Sequence, residues 1–390
     1  MFSCLDVRVA TALVDGELKV VRRTRRQSMV LFLRAAAQNR ADLTIDDFGE
    51  SQIRWVIESG LAPLLVRCMP NGSDASRSPL WAALKGAELT ARIIHAEQTD
   101  AMDEIAQACA GQVPPLTLLK GISVSEQFYP DPQVRPMRDI DFLVEQNDVP
   151  TVESILLRLG YRRQSEYPEK FYQTHHHTTP FFHPQKNVWV EVHRALHPTW
   201  KPIGLDRVFS AENIKAERRP AKFRGQLVNR LSDELQIVYL ASHWAFDFRR
   251  VGGMVAMIDL IYLLENAKSI RWTRILNWVD GAIAATPIYL LLTYLNRHGL
   301  IQLPPGILGE LSLRQHSVGR ASLWILHAMI DRYITNGCEF GWFVSERNFR
   351  IAWDTLLLPT PPSRRFLVVF RNLLPSRGWL ARSATTSACC

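Results

Sequence analysis

Apolar residues recur at two different spacings along this chain, and the change of period divides it. Ile53, Val56 and Ile57, then Leu61, Leu64 and Leu65, fall three and four residues apart, the spacing of one helix face. Leu80, Leu84, Leu89, Ile93 and Ile94 mark a long helix from Pro79 to Ala110, followed by another from Met102 to Ala110. Residues 1–110 are therefore expected to be mostly helical, broken by the turn Pro70-Asn71-Gly72-Ser73. From Gly111 the period shortens. Val113 to Leu119 is an apolar run of strand length, ended by Gly121, with a short helix expected over Ile122 to Tyr129. Asp139 to Val144 alternates polar and apolar, as a half-buried strand does. Asp148 is placed to cap a helix with Pro150 in its first turn and Gly160 past its end. Phe171 to Phe182 and Val188 to His193 read as strands, with a turn at Pro184 to Asn187. After Pro202 the helical period returns, over Ser232 to Ser242, Met254 to Leu264, Trp272 to Trp278, Ile288 to Leu295 and Ala321 to Ile334. The predicted fold class is α+β: a small mixed-sheet core over 111–200, an N-terminal helical region 1–110, a C-terminal helical domain 201–358, and a tail 359–390.

Composition narrows the class. With 47% hydrophobic and 22% charged residues the chain matches a soluble globular protein. It is neither disordered nor collagen-like. No apolar run approaches the roughly 20 residues of a membrane span, and the N-terminus, with Asp6 and Arg8, does not read as a signal peptide. The six cysteines contain no CxxC pair, which excludes a zinc-finger spacing and a disulfide framework. A reduced, cytoplasmic protein is expected. The 46 basic and 38 acidic residues leave a net charge of +8, placed unevenly. Arg364, Arg365, Arg371, Arg377 and Arg382 follow the last acidic residue, Asp354. With Phe366 to Phe370 among them they suggest a segment that docks on the protein or makes peripheral contact with an anionic membrane. Lys19, Arg22, Arg23, Arg25 and Arg26 form a second basic cluster. No DNA- or RNA-reading motif accompanies either. Cys389-Cys390 ends the chain without forming a CaaX box.

The candidate chemistry lies in the segment of short period. Asp139-Ile140-Asp141 sets two carboxylates on one face of a strand, with Ile140 and Phe142 turned to the other. Neighbouring carboxylates repel unless a cation sits between them, and an oxygen-only ligand set suits Mg²⁺, which also takes phosphate oxygens. Upstream, Lys120-Gly121 falls at a strand-to-helix turn, where free backbone N–H groups can meet a phosphate. Downstream, Val188-Trp-Val-Glu191-Val-His193 alternates, so Glu191 and His193 share a face. Glu191 reads either as an exposed edge-strand residue or as a third carboxylate. His193 is expected about 6.5–7 Å further along the strand, too far to share a metal with Glu191 but near enough to reach a phosphate or an acceptor. In a strand, His175 and His177 would face one way and His176 the other. That favours nucleotide contacts or a wet surface over a transition-metal site. His243 and Asp247, four apart on a helix, are placed to pair.

Lys120-Gly121, Arg135-x-x-x-Asp139-Ile-Asp141, Gly160-Tyr161 and Val190-Glu191-Val192-His193 together resemble the uncharacterised nucleotidyltransferase family. That family is a branch of the DNA polymerase β-type nucleotidyltransferase superfamily. Trp55, Gly60-Leu61, His243 and Asp259-Leu260 in the helical flanks resemble it too. The resemblance implies a nucleotidyltransferase core in which Asp139, Asp141 and Glu191 bind Mg²⁺ or Mn²⁺ and carry catalysis. Lys120, Gly121, Ser123, Arg135 and His193 would be the nucleotide-binding residues. A nucleoside monophosphate would pass from an NTP to an acceptor hydroxyl on a small molecule, peptide or protein, releasing pyrophosphate. The turn reads Gly121-Ile122 with Ser123 one position late, where the superfamily has Gly-Gly or Gly-Ser. Two alternatives stand beside this: a D-x-D glycosyltransferase, and a catalytically inactive nucleotide- or peptide-binding member.

Overall fold

The computed structural model describes residues 7–14, 17–24, 28–70, 79–165, 167–198, 203–247, 251–315, 318–335, 346–357 and 367–368. The chain opens with strands β1 (Val7–Val14) and β2 (Glu17–Thr24), paired antiparallel. The expectation of a wholly helical N-terminal region is thus corrected. Val7, Val9, Val20 and Val21 are β-branched residues that favour a strand. Lys19, Arg22 and Arg23 lie on β2, whereas Arg25 and Arg26 fall outside the described residues.

Helices α1 (Ser28–Ala37), α2 (Glu50–Glu58), α3 (Ala62–Arg67) and α4 (Pro79–Cys109) follow. The two helices expected beyond Pro79 are one continuous helix of 31 residues. Its buried side is only partly the predicted one: Leu84 is buried as expected. Leu89 and Ile93 are exposed, while Glu88, His95, Gln98 and Thr99 are buried. Glu88 is paired there: Arg92 meets Glu88 at 3.2 Å and Asp131 at 3.0 Å.

Next come β3 (Thr117–Leu118), α5 (Lys120–Phe128), β4 (Ile140–Leu143), α6 (Val149–Arg158), β5 (Arg162–Arg163), α7 (Glu169–Tyr172), β6 (Phe181–His183) and β7 (Val188–His193). The expected Phe171–Phe182 strand is corrected: Phe171 belongs to α7, and only Phe181–His183 pairs in the sheet. Asp148 does stand at the N-cap of α6, without a side-chain cap bond.

Beyond residue 200 lie α8 (Ala211–Glu217), β8 (Arg218–Phe223), β9 (Gln226–Leu231) and helices α9 (Asp233–Asp247), α10 (Val251–Asn266), α11 (Trp272–Val279), α12 (Ala285–Arg297), α13 (Ile307–Arg314), α14 (Arg320–Thr335) and α15 (Glu346–Leu357). The β8–β9 hairpin corrects the purely helical reading of 201–358. It turns at Arg224 and Gly225, both with positive φ (46° and 93°), the geometry of a two-residue hairpin loop. The basic tail, its five arginines and Cys389-Cys390 lie outside the described residues.

The main sheet has seven strands in the order β5-β6-β7-β4-β3-β9-β8. It is mixed: β4 runs parallel to β7 and β3 to β9, and the remaining pairs are antiparallel. The α+β class therefore holds. One side of the central strands is apolar. Ile140, Phe142, Val190 and Val192 are fully buried, in a core with Met102 and Ile105 of α4 and Val152 and Leu156 of α6. A second, larger core joins the flanks. Met29, Phe32 and Leu33 of α1 pack in it with Leu235, Trp244, Leu260 and Tyr294 of the C-terminal helices. Two long-range bonds tie the flanks: the Tyr262 hydroxyl donates to the Ala36 carbonyl at 2.9 Å, and Arg34 donates to the His298 carbonyl at 2.8 Å. Among the described residues no helix is long and apolar enough to cross a membrane.

Candidate functional site

The site grows from the parallel pairing of β4 with β7. Register sets Asp141 opposite Glu191, between the apolar pairs Ile140–Val190 and Phe142–Val192. Because side chains alternate, both carboxylates leave the sheet on the face away from the sheet's own core. Asp141 is nevertheless buried, at 4% exposure, and a buried carboxylate must be paired. His193 Nε2 lies 2.7 Å from Asp141 Oδ1 and 3.5 Å from Glu191 Oε2. Lys120 Nζ lies 3.6 Å from Asp141 Oδ1.

Lys120 reaches this position through an unusual backbone. Leu119 N–H donates to the Asp141 carbonyl at 3.0 Å, prolonging the β3–β4 pairing by one residue. The chain then turns into α5 at Lys120 with φ of 37°. A left-handed lysine is strained by about 1–3 kcal/mol, a cost typical of residues held in place for function. The turn aims the ammonium back over the sheet, 6.0 Å from the Tyr239 ring of α9.

Charges in the cluster perturb one another. Burial pushes Asp141 up, but Lys120 and the hydrogen-bonded His193 outweigh it and hold the carboxyl well below the usual range. Burial opposes ionisation of Glu191 too, yet its bond to His193 keeps it low. Burial lowers His193, and its bonds to Asp141 and Glu191 reverse the sign, so its proton is held more tightly than in water. Asp139, in the bend before β4, is only partly compensated by Lys120 and His193. Burial, then Asp141 and Glu191, push it up to about 7. The cluster carries more negative charge than its cations neutralise.

The remaining sequence candidates fall in different places. Arg135 is buried and spent inside the protein. Its Nε and Nη2 donate to Asp259 on α10 at 3.0 and 2.8 Å, and its Nη1 donates to the Pro136 carbonyl at 2.9 Å. The Tyr129 hydroxyl donates to the same Asp259 at 2.7 Å. Gly121 is packed under that guanidinium: a Cβ there would meet Arg135 Nη1 at 2.8 Å and Met137 Sδ at 3.3 Å. Ser123 is buried, its hydroxyl accepting from Gln127 at 2.9 Å. The expectation that His193 stands too far from Glu191 to share a cation is corrected. The two side chains lean together, and Asp141, Glu191 and His193 offer ligand atoms all within 4.8 Å of one another. Asp139 is not in that group of three.

The alternation expected of the three histidines also fails, because 173–176 is a turn and not a strand. All three rings converge, with centroids 4.2 Å apart for His175–His176 and for His175–His177. Asp247's side chain lies outside the described residues, so its pairing with His243 is not described. Tyr239 was invisible to sequence reasoning. Its helical spacing marks it as core, and nothing local announces that it faces a lysine from β3's end.

The donor set fits a hard divalent cation. Asp141 and Glu191 stand in register, Asp139 is destabilised as an anion beside them, and oxygen ligands of this type suit Mg²⁺ or Mn²⁺. Comparison with curated proteins and with solved structures finds no match to this chain. A family model does match, over residues 50–299. That span contains the main sheet, the acidic cluster and the Arg135–Asp259 tie, and it shows that the chain belongs to the uncharacterised nucleotidyltransferase family.

Proposed function

We propose that this nucleotidyltransferase moves a nucleoside monophosphate from an NTP to an acceptor hydroxyl, with a Mg²⁺-type cation held by Asp139, Asp141 and Glu191. The observation that carries the reading is the only partly compensated carboxylate cluster at the β4–β7 register. Folding places like charges together here at a cost that a bound cation removes. When bound, such a cation supplies charge neutralisation at the phosphate oxygens.

The chain's own residues do the rest. Lys120, held over Asp141 by its strained turn, is the lysine beside the cluster and pairs with phosphate oxygens. The first turn of α5 offers backbone N–H groups to the same phosphates. Glu191, with 23% of its side chain exposed against 4% for Asp141, is the carboxylate an acceptor hydroxyl can reach. It accepts the hydroxyl proton. The hydroxyl oxygen bonds to the α-phosphorus as the bond to the bridging oxygen breaks, and pyrophosphate leaves with that electron pair. His193 orients Asp141 and Glu191 through its bonds to both. Arg135 acts as a structural tie, since its donors are engaged within the protein. The acceptor is a small molecule, peptide or protein.

Incubation of the full chain with each α-labelled NTP, Mg²⁺ or Mn²⁺ and cell extract tests this. Label should pass to an acceptor only with a divalent cation, and Asp139→Asn should abolish transfer. Label transfer that survives chelation, or persists in Asp139→Asn, refutes the reading.

A further inference from the structure

The three consecutive histidines are not used by nucleotidyl transfer, yet the protein takes care to gather them. Arg194 clamps their turn from β7's end. Its Nε donates to the His175 carbonyl at 3.1 Å, and its Nη2 donates to the Gln173 and His175 carbonyls at 2.7 and 3.0 Å and to that of Tyr172. The backbone then joins β7 through the His177–His193 bridge, with Thr178 N–H donating to the Val192 carbonyl at 2.9 Å. So pinned, His175, His176 and His177 present one nitrogen each within 4.8 Å of one another.

Two details are those of metal ligands rather than of stacked rings. His177 Nδ1 donates to the Thr178 carbonyl at 2.7 Å. That fixes the tautomer and leaves the Nε2 lone pair free, as the hydrogen bond behind a metal-ligating histidine does. His176 Nδ1 is buried with no hydrogen-bond partner among the described residues, which is costly for a polar nitrogen unless something else binds it. A carboxylate is at hand as well. Glu191 Oε2 lies 3.6 Å from His177 Nε2. Glu191 belongs with Asp141 and His193, so this carboxylate borders the three histidines rather than joining them as a ligand. The sequence gives the histidines no acidic neighbour; β7 supplies one across the bridge.

We propose that His175, His176 and His177 bind a transition-metal ion of the Zn²⁺ class, with the fourth position left to water. Imidazole nitrogen selects such ions, and oxygen ligands select Mg²⁺, so this site differs in chemistry from the carboxylate cluster beside it. Bound metal would lock the 173–177 turn.

The full chain, stripped with chelator, is titrated with Zn²⁺ against a chromophoric chelator in excess Mg²⁺, and with Co²⁺ followed by visible absorption. One equivalent should bind, with the intense bands of tetrahedral Co²⁺. His175→Ala and His176→Ala should each weaken Zn²⁺ binding by at least about 100-fold, whereas Asp139→Asn should change it little. No stoichiometric binding in excess Mg²⁺, unchanged affinity in both histidine variants, or loss only in Asp139→Asn overturns the proposal. Should the variants not fold, X-ray absorption of the wild-type Zn²⁺ complex decides: three imidazoles in the shell support it, and two or fewer overturn it. Neither readout depends on whether nucleotidyl transfer is observed.

Discussion

Asp139 and Asp141 stand two residues apart, and the structure predicts opposite responses to conversion into asparagine. Folding moves the Asp139 carboxyl from its ordinary 3.8 up to about 7. The folded protein therefore holds a proton that the unfolded chain has released. No stability is lost below about pH 3.8. Between there and pH 7 it falls, and above pH 7 the loss is complete. At 1.36 kcal/mol per tenfold the ceiling is about 4 kcal/mol. Asp139 keeps some contact with water, so an effect of about 2–4 kcal/mol is expected. Asp139→Asn removes this loss and should stabilise the metal-free protein by that amount at pH 8 and hardly at all at pH 4. Asp141 behaves the other way. Its ionised form is held by Lys120 and His193, so the stability it contributes is present at neutral pH and lost in acid. Asp141→Asn leaves a buried ammonium without its partner and should cost about 3–5 kcal/mol at pH 8. His193, itself raised, loses its contribution above its ordinary 6.5, but it is common to wild type and Asp139→Asn and cancels to first order in that comparison. The assay is urea unfolding in chelator at pH 4, 6 and 8, with midpoints compared at constant slope. Added Mg²⁺ should stabilise wild type at pH 8 more than Asp139→Asn. If both variants move in the same direction at pH 8, or if the gain in Asp139→Asn is the same at pH 4, the electrostatic account of the cluster is wrong.

Arg135→Ala and Asp259→Ala should each cost about 3–5 kcal/mol, since each strands a buried charge; a loss below about 1 kcal/mol in urea unfolding would mean the pair is open to solvent. Gly121→Ala, whose Cβ would sit 2.8 Å from Arg135 Nη1, should cost about 1–3 kcal/mol by calorimetry, and an unchanged melting temperature would show that the guanidinium yields freely. Lys120→Met should lower NTP affinity by about 10–100-fold, the worth of one charge-assisted bond, measured by isothermal titration; full affinity would place the triphosphate elsewhere.

The placement of Asp141 and Glu191 could be read from the chain because both sit on regular strands. Alternation alone set Asp141 and Glu191 on polar faces, and the pairing of β4 with β7 made them neighbours. What alternation cannot give is side-chain lean. His193 and Glu191 are two residues apart along β7, yet their tips close to 3.5 Å around Asp141. Arg135 was misplaced for a different reason. Its partner Asp259 is 124 residues away, so nothing local distinguished an internal tie from a phosphate-binding guanidinium. The β8–β9 hairpin escaped notice because β8 is an edge strand carrying Arg218, Arg219, Pro220 and Lys222. Charges and proline are what an edge strand shows to solvent. The β1–β2 hairpin had a signal that was there to read, Asp15-Gly16 between two β-branched runs.

The core shared by the two helical flanks has a consequence for how the protein is made. The Tyr262–Ala36 bond spans 226 residues and the Arg34–His298 bond spans 264. At a synthesis rate of about 5–20 residues per second, α1 waits roughly 10–50 s for the helices that cover it. During that interval Met29, Phe32 and Leu33, all fully buried in the finished molecule, lack the C-terminal part of their cover and have only nearby N-terminal elements such as α3 to pack against. The nascent chain therefore carries a sticky amphipathic segment for most of its translation. Its yield in an expression host should depend on holdase chaperones at the ribosome, and far less on the acidic strands, whose β4–β7 pairing closes within a span of about 50 residues.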